Sequence, residues 1–261
     1  MGEISILGCG WLGLPLGEHL VREGQAVRGS TTTPARLSEL AARDIEPFRI
    51  DLGEATPVDP RFLDAETLIV AVPHKVVEDF QRFILQVADA PVRNVLFISS
   101  TSVYATADAQ VDETDGPFAD GHPLRAIEDL FRQRTAFRTT VLRLAGLVGP
   151  DRHPGRFFRG GRAVPNPDGY VNMIHRDDAI GIIDAIRSQQ AWDAVFNGCA
   201  DAHPTRGAFY TRAAELMGSA PPPLDRKSAG PWKIVSNARV RERLSYRFRY
   251  PEVLTAFEPE G

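Results

Sequence analysis

The feature that most constrains this chain is a glycine-rich turn near its start, where Gly8, Gly10 and Gly13 follow the apolar residues 4–7. A helix-like segment, 12–21, comes directly after the turn. A strand, a G-x-G-x-x-G sequence and a helix in that order are the context of a dinucleotide-binding turn. The three glycines permit a tight bend, a close approach of backbone to pyrophosphate, and helix–strand packing. The sequence therefore predicts a nucleotide site here, with Trp11 and Leu12 beside it at the helix N-terminus.

Composition excludes several other classes of protein. The net charge of −4 argues against a general nucleic-acid binder, and no apolar run reaches the length that spans a membrane. The two cysteines, Cys9 and Cys199, fit neither a disulfide framework nor a metal site. No secretory signal pattern is recognisable. We therefore expect a cytoplasmic protein that binds a small molecule, without a metal, a membrane or nucleic acid as partner.

Strand-like and helix-like segments alternate over the first 150 residues, which predicts an α/β fold with a doubly wound parallel sheet of the Rossmann, NAD(P)-binding type. Residues 1–150 are predicted to form the dinucleotide-binding domain. Residues 151–261 are predicted to form a small C-terminal substrate lobe, interleaved with the first domain. The alternation in the tail, 239–251, predicts a half-exposed strand. The predicted strands are 4–7, 25–30, 48–52, 67–73, 93–100 and 139–144, and the predicted helices between them include 34–43, 76–87 and 124–134.

The residues after the second predicted strand bear on which cofactor binds. In dinucleotide folds an acid about 20 residues beyond the glycine motif accepts from the ribose 2′-hydroxyl and favours NAD. Here that place holds hydroxyl residues, with Arg36 following and no acid before Glu39. This pattern favours a 2′-phosphate and hence NADP over NAD. Thr33 before Pro34 is also typical of a helix cap, so the residues predicted to contact the cofactor are Ser30, Thr31, Thr32 and Arg36.

Several stretches together resemble the extended short-chain dehydrogenase/reductase superfamily, in its NAD-dependent epimerase/dehydratase branch. More closely, the glycine turn and the block 149–158 are similar to a bacterial group often described as nucleoside-diphosphate-sugar epimerase-like. The resemblance covers nearly the whole chain. It is carried by the glycine turn, Asp51-Leu52, Phe97-Ile-Ser-Ser-Thr-Ser-Val-Tyr104, and the segments 142–150, 174–178 and 244–248.

The resemblance implies roles for particular residues. Asp51 and Leu52 would flank the adenine, and Ala71, Val72 and Pro73 would line the ribose of the cofactor. Ser100 matches the catalytic hydroxyl of the family, three residues before Val103. Tyr104 is a signature aromatic residue of the same motif, where its role is usually structural.

The sequence departs from the family where the acid/base pair should lie. Family members carry a Tyr followed four residues later by a Lys, but no Tyr occurs between Tyr104 and Tyr170 and no Lys between Lys75 and Lys227. The corresponding helix contains Arg125, which falls near the site but stays protonated and cannot act as a base. The resemblance in fold is unaffected by this loss, whereas the standard redox chemistry loses its usual proton donor.

Two functional hypotheses follow. The first is an NAD(P)-dependent oxidoreductase, epimerase or dehydratase acting on a small phosphorylated or nucleotide-sugar-like substrate, with His153 and Arg156 of an Arg-rich loop binding the anionic end. The second is a non-catalytic NADP(H)-binding sensor or partner-binding module, which the missing Tyr-Lys pair favours. The sequence favours the first hypothesis, an enzyme. Because members of the family often form homodimers, the resemblance also implies a homodimer as a possible assembly.

Overall fold

The computed structural model describes residues 3–106 and 108–258. The chain forms two compact units that alternate along the sequence. The first unit takes the described residues of Met1–Ser99, Gly121–Leu142 and Gln190–Val195. The second unit takes those of Ser100–Asp120, Arg143–Gln189 and Phe196–Gly261.

The elements follow a repeated strand–helix order over the first half of the chain. The strands are β1 Glu3–Leu7, β2 Ala26–Thr31, β3 Ile45–Arg49, β4 Thr67–Val70, β5 Asn94–Ser100, β6 Ala109–Val111, β7 Arg138–Leu144, β8 Gly146–Val148, β9 Val164–Pro165, β10 Met173–His175, β11 Val195–Gly198, β12 Leu224–Asp225 and β13 Lys233–Val235. The helices are α1 Gly13–Arg22, α2 Leu37–Ala41, α3 Pro60–Leu63, α4 Val77–Ala88, α5 Pro123–Arg132, α6 Arg176–Ser188, α7 Arg206–Leu216 and α8 Ala238–Arg243.

Seven of these strands form one sheet in the order β11-β7-β5-β4-β1-β2-β3. The pairs β1–β2, β1–β4, β2–β3 and β4–β5 are parallel. The strand order reverses between β1 and β4, and ligands of open α/β sheets bind beyond the carboxyl ends of the strands at such a reversal. The predicted doubly wound α/β fold is confirmed, and the glycine turn lies at the reversal.

Glycines in α1 let this helix pack directly on the sheet. A Cβ at Gly13 would lie 2.1 Å from the Gly8 carbonyl oxygen, and a Cβ at Gly17 would lie 2.7 Å from Ile45 Cδ1 of β3. Pro15 lies in the first turn of α1, where its missing N–H is tolerated. On the other side of β1, Phe80 of α4, Phe97 of β5 and Phe131 of α5 form an aromatic cluster with ring centroids 5.2–6.0 Å apart.

The second unit has its own core and three two-stranded parallel sheets, which pair β8 with β10, β9 with β12, and β6 with β13. Its core holds residues from β8, β9, β10, α7, the C-terminal segment, and the loops before β10 and after β11: Val148, Val164, Val171, Met173, Ala200, Phe209, Tyr210, Ala213, Val253 and Leu254. Elements from distant parts of the sequence therefore share one apolar interior.

Two sequence predictions differ from the structure. The third strand covers Ile45–Arg49 instead of 48–52, because Ile45 packs on Gly17 while Asp51 forms a turn. The predicted strand over 239–251 is wrong: its first part is the helix Ala238–Arg243. The backbone N–H groups of Arg249 and Tyr250 donate to the Asp178 carboxylate, so that segment obtains its hydrogen bonds from a side chain and not from a neighbouring strand.

Within residues 3–106 and 108–258, no helix combines the length and apolar character needed to cross a bilayer.

Replacing Gly13 with alanine should destabilise the protein, because the new Cβ would overlap backbone atoms of Gly8 that cannot move aside. Overpacking of this kind costs about 1–3 kcal/mol, measured as the free energy of unfolding in urea. Gly10→Ala is the matched control, since a Cβ at Gly10 meets no atom within 4 Å. Equal stability of the two variants would contradict the packing described for α1.

Candidate functional site

The glycine turn has the backbone geometry of a phosphate cradle. Gly8 has a φ of +98°, and a Cβ there would lie 2.6 Å from Val72 Cγ1 and 2.8 Å from the Ala71 carbonyl oxygen. A Cβ at Gly10, in contrast, would project into open space. No side chain caps the start of α1, where Leu12 occupies the N-cap position. The turn therefore leaves room at Gly10 and presents a helix N-terminus, the arrangement that binds an anion.

Ser30 holds the glycine turn in place. Its buried hydroxyl accepts a hydrogen bond from the Gly8 N–H at 2.9 Å, and its carbonyl accepts one from the Cys9 N–H at 2.7 Å. The Cys9 side chain lies beneath the turn against Gly29, and burial raises its pKa to about 12. Ser30 thus positions the backbone of the turn, and the Cys9 thiol stays protonated.

The segment after β2 presents the hydroxyls and the arginine that the sequence singles out. Thr31 Oγ1 accepts from the Thr33 N–H at 3.2 Å, and Thr32 is exposed. The Arg36 guanidinium lies 2.8 Å from the Glu39 carboxylate, with 36% of each side chain exposed. The carboxylate of Glu39 has a lowered pKa because it accepts a hydrogen bond from Arg36. Arg36 therefore reaches solvent beside β2 but already has a carboxylate partner.

Two further loops of the first unit hold residues that the family resemblance places around the cofactor. After β3, Asp51 Oδ1 accepts from the Gly53 N–H at 2.9 Å, and Asp51 and Leu52 are both half-buried. After β4, the Ala71 N–H donates to the Leu7 carbonyl at 2.8 Å. The loop 71–73 is thereby held next to the end of β1, with Val72 against Gly8.

Helix α5 carries a buried acid where the family has its tyrosine and lysine. Glu128 is fully buried and accepts a 2.6 Å hydrogen bond from the Ser99 hydroxyl. Arg125 donates to Glu128 at 3.1 Å and lies 3.2 Å from Asp129. Arg125 is therefore tied to two carboxylates of its own helix. Glu128 was not predicted as a site residue, although an acid on the apolar face of a predicted helix is a signal that the sequence contains.

In the second unit, Ser100 and Tyr104 flank a short 3₁₀ turn, Thr101–Val103. Ser100 Oγ accepts from the Ser102 N–H at 3.1 Å, so its own hydrogen remains to be donated. Tyr104 is only 2% exposed; its hydroxyl donates to Asn197 Oδ1 at 2.9 Å and accepts from Arg143 at 2.8 Å. Burial raises the pKa of Tyr104. Tyr104 thus has the surroundings of a structural residue, whereas Ser100 is half-buried.

The Arg-rich loop after β8 contains the two residues predicted to bind substrate. His153 begins a 3₁₀ turn, and its Nδ1 accepts from the Gly155 N–H at 3.0 Å. Burial is the main cause that lowers the pKa of His153, with Arg156 and Arg159 adding to the effect. Arg156 is exposed and donates to the Asp151 carbonyl at 3.4 Å. The lowered pKa therefore favours the neutral form of His153, next to the exposed positive charges of Arg156 and Arg159.

The loop after β4 and helix α4 together form a second charged cluster, which was not predicted from the sequence. His74 Nε2 and Asp79 Oδ2 lie 2.6 Å apart, and Arg82 donates to the other oxygen of Asp79 at 2.5 Å. Hydrogen bonds from His74 and Arg82 lower the pKa of Asp79 despite its burial. No group of three or more metal-ligating side chains occurs in the part of the chain that the structure describes.

Comparison with solved structures identifies the class of this fold. The chain superposes on a conserved protein of unknown function from Silicibacter pomeroyi with a TM-score of 0.82 and 26% identity, covering 98% and 97% of the two chains. A protein assigned as an NAD-dependent epimerase/dehydratase from Methylobacillus flagellatus superposes with a TM-score of 0.78 and 24% identity, covering 98% of this chain and 96% of that one. MoeE5 in complex with UDP-glucose and NAD superposes with a TM-score of 0.79 and 21% identity, covering 98% of this chain and 97% of MoeE5. The fold is that of the extended short-chain dehydrogenase/reductase and epimerase/dehydratase proteins, as the sequence resemblance implied.

Sequence comparison identifies the family within that class. The chain is 33% identical to protein YeeZ of Escherichia coli strain K12, over 97% of this chain and 98% of YeeZ. It belongs to the YeeZ family. No protein-family model matches the chain.

Ser30→Ala should lower the free energy of unfolding by about 1–3 kcal/mol, because the half-buried Gly8 N–H would lose its acceptor. Thr32→Ala is the matched control: its side chain is exposed, and such changes stay within about 0.5 kcal/mol. Urea unfolding of both variants checks this. A loss no larger for Ser30→Ala than for Thr32→Ala would show that the hydroxyl does not hold the turn.

Proposed function

We propose that this protein binds NADP at the glycine turn and is an oxidoreductase, epimerase or dehydratase of the short-chain dehydrogenase/reductase type. The observation that carries the proposal is the cradle at the end of β1. Gly8 is fixed by Ser30, Gly10 borders open space, and α1 begins uncapped beside it. A pyrophosphate needs close backbone approach and a helix N-terminus, and both occur here.

The residues around the cradle fit a nicotinamide dinucleotide. Gly8, Gly10, Trp11, Leu12 and Gly13 would hold the pyrophosphate, Asp51 and Leu52 the adenine, and Ala71, Val72 and Pro73 the ribose. Ser30 contributes by fixing Gly8, and Thr31, Thr32 and Arg36 would meet a 2′-phosphate. When bound, the cofactor supplies or accepts a hydride at its nicotinamide ring. The solved neighbour MoeE5, which was crystallised with NAD, supports a dinucleotide in this fold.

On the substrate side, we propose a small phosphorylated or nucleotide-sugar-like compound. The half-buried Ser100 hydroxyl would donate to the reacting oxygen, since its lone pair already accepts from Ser102. His153 and the exposed Arg156 would bind the anionic part, because guanidinium groups pair well with phosphate and carboxylate. The UDP-glucose bound to MoeE5 supports this class of substrate.

The second candidate function is a non-catalytic NADP(H)-binding module. The observation that favours it is the composition of α5, where Arg125 and Glu128 bind each other in place of the tyrosine and lysine of the family. General acid/base assistance is worth about 10²–10⁴-fold. Tight cofactor binding without turnover on any sugar nucleotide, aldehyde or ketone would favour this candidate.

Gly10→Val should weaken cofactor binding at least about tenfold, or roughly 1.4 kcal/mol, because the side chain would fill the space that the pyrophosphate is proposed to occupy. The dissociation constant for NADPH is measured by fluorescence titration. Urea unfolding serves as the control, because the same open space lets the valine be accommodated without loss of fold. An unchanged dissociation constant is incompatible with the proposed site.

Arg36→Ala should weaken NADPH binding and leave NADH binding nearly unchanged, because only NADPH carries the 2′-phosphate that the guanidinium would pair with. Glu39→Gln is the matched variant: releasing Arg36 from its 2.8 Å carboxylate partner should strengthen NADPH binding. Tighter binding of NADH than of NADPH by the unaltered protein would show that the cofactor is NAD and that Thr31 and Thr32 belong only to a turn.

A further inference from the structure

Lys233 lies at the turn that follows Ser100, although it is more than 130 residues away in sequence. It opens β13, which pairs with β6 in the second unit, with Lys233 opposite Ala109. Its Nζ donates to the Thr101 carbonyl at 3.0 Å and to the Tyr104 carbonyl. These two carbonyls bracket the 3₁₀ turn Thr101–Val103, so the ammonium is anchored on the turn that begins one residue after Ser100.

The surroundings of Lys233 leave its charge poorly compensated. Its side chain is half-buried, and burial lowers its pKa. The titratable and charged groups nearby are Tyr104, Tyr170 and Arg206, with Asp108 hydrogen-bonded to the residue before Lys233. The Asp108 carboxylate accepts a hydrogen bond from the backbone N–H of Trp232, the residue just before β13. Both carbonyl groups that Nζ contacts are neutral. Among the described residues, no carboxylate forms an ion pair with Lys233, so no neighbouring negative charge offsets the effect of burial.

A cavity of about 230 Å³ adjoins this lysine. Tyr170 and Trp232 form one wall, with ring centroids 4.9 Å apart and an edge-to-face arrangement. Asn172 and Arg206 also line it, and Arg206 Nε donates to the Pro165 carbonyl at 2.9 Å. Two of the three N–H bonds of a lysine ammonium are used by the carbonyls, and the third remains for a molecule that enters from the cavity.

The amino-acid composition supports a role that requires a titratable cation. Of the 30 basic residues, three are lysines (Lys75, Lys227 and Lys233) and the other 27 are arginines. An arginine could hold two carbonyls equally well but cannot release a proton. At this half-buried position on the turn that follows Ser100, the chain carries a side chain that can.

We propose that Lys233 is the proton donor and acceptor for the substrate oxygen bound at Ser100, the task that the missing Tyr-Lys pair leaves open. The inference rests on the proposed function. When a carbonyl substrate is reduced, its carbon gains the hydride supplied by the nicotinamide cofactor, and the electron pair of the C=O π bond moves to the oxygen. That oxygen takes a proton from Nζ. The carbonyl becomes an alcohol, the cofactor is oxidised, and the amine regains its proton from water.

The first test needs neither substrate nor cofactor. Protein labelled with ¹³C at lysine Cε gives a signal for each of the three lysines, which Lys75→Arg, Lys227→Arg and Lys233→Arg assign. The proposal expects Lys233 to titrate at least about one pH unit below the other two, whose midpoints should lie near the ordinary 10.4. A Lys233 midpoint equal to theirs would overturn the proposal.

The second test separates proton transfer from a purely structural role. In a screen of sugar nucleotides, aldehydes and ketones with NADPH or NADH, Lys233→Arg should lower kcat at least about 10²-fold, with an unchanged cofactor dissociation constant and melting temperature. The rate of reduction by the unaltered protein should fall as the pH rises through the titration midpoint of Lys233. This fall, the alkaline limb of the pH–rate profile, should be absent in Lys233→Arg.

The control Lys227→Arg should retain both the rate and the limb. Full activity and an unchanged profile in Lys233→Arg would overturn the assignment of Lys233 while leaving the proposed function intact. Failure of the unaltered protein to bind either cofactor would instead refute the proposed function, and the ¹³C titration would still report on Lys233.

Discussion

The structure of the first unit depends on the contact between Gly13 of α1 and the Gly8 carbonyl at the end of β1. A Cβ at Gly13 would lie only 2.1 Å from the Gly8 carbonyl oxygen. Only glycine therefore lets the helix begin so close to the strand. That contact brings the N-terminus of α1 to the reversal in strand order between β1 and β4. The hydrogen bond from Gly8 to Ser30 then ties the same turn to β2. Three strands thus fix the backbone that we propose binds pyrophosphate.

Much of this fold could be predicted from local sequence. The glycine spacing and the alternation of strand-like and helix-like segments predict the parallel sheet, because each signal depends on neighbours within a few residues. The boundaries of β3 and the conformation of the tail could not be obtained in this way. Ile45 belongs to β3 because it packs on Gly17 of α1, and the tail is irregular after Arg243 because Asp178 binds its backbone. Both causes are contacts between distant residues.

In the candidate site, too, local sequence signals could be predicted, whereas contacts between distant residues could not. The absence of a tyrosine and a lysine from α5 can be read from the sequence, but which distant residue contacts the turn after Ser100 cannot. Lys233 lies far along the chain, in a short strand without a recognisable motif, and only the pairing of β13 with β6 brings it to the 101–104 turn. Likewise Ser30 is identifiable as a hydroxyl at the right position, whereas its bond to Gly8 depends on the register of β1 and β2.

The central claim is that the glycine turn binds a nicotinamide dinucleotide. The most direct measurement is the fluorescence of NADPH, and separately of NADH, titrated with the purified protein. Our account predicts saturable enhancement or quenching with a single site per chain, stronger with NADPH. No change in fluorescence with either nucleotide, at concentrations up to the millimolar range, would contradict both the enzymatic and the non-catalytic proposals and leave the turn with a purely structural role.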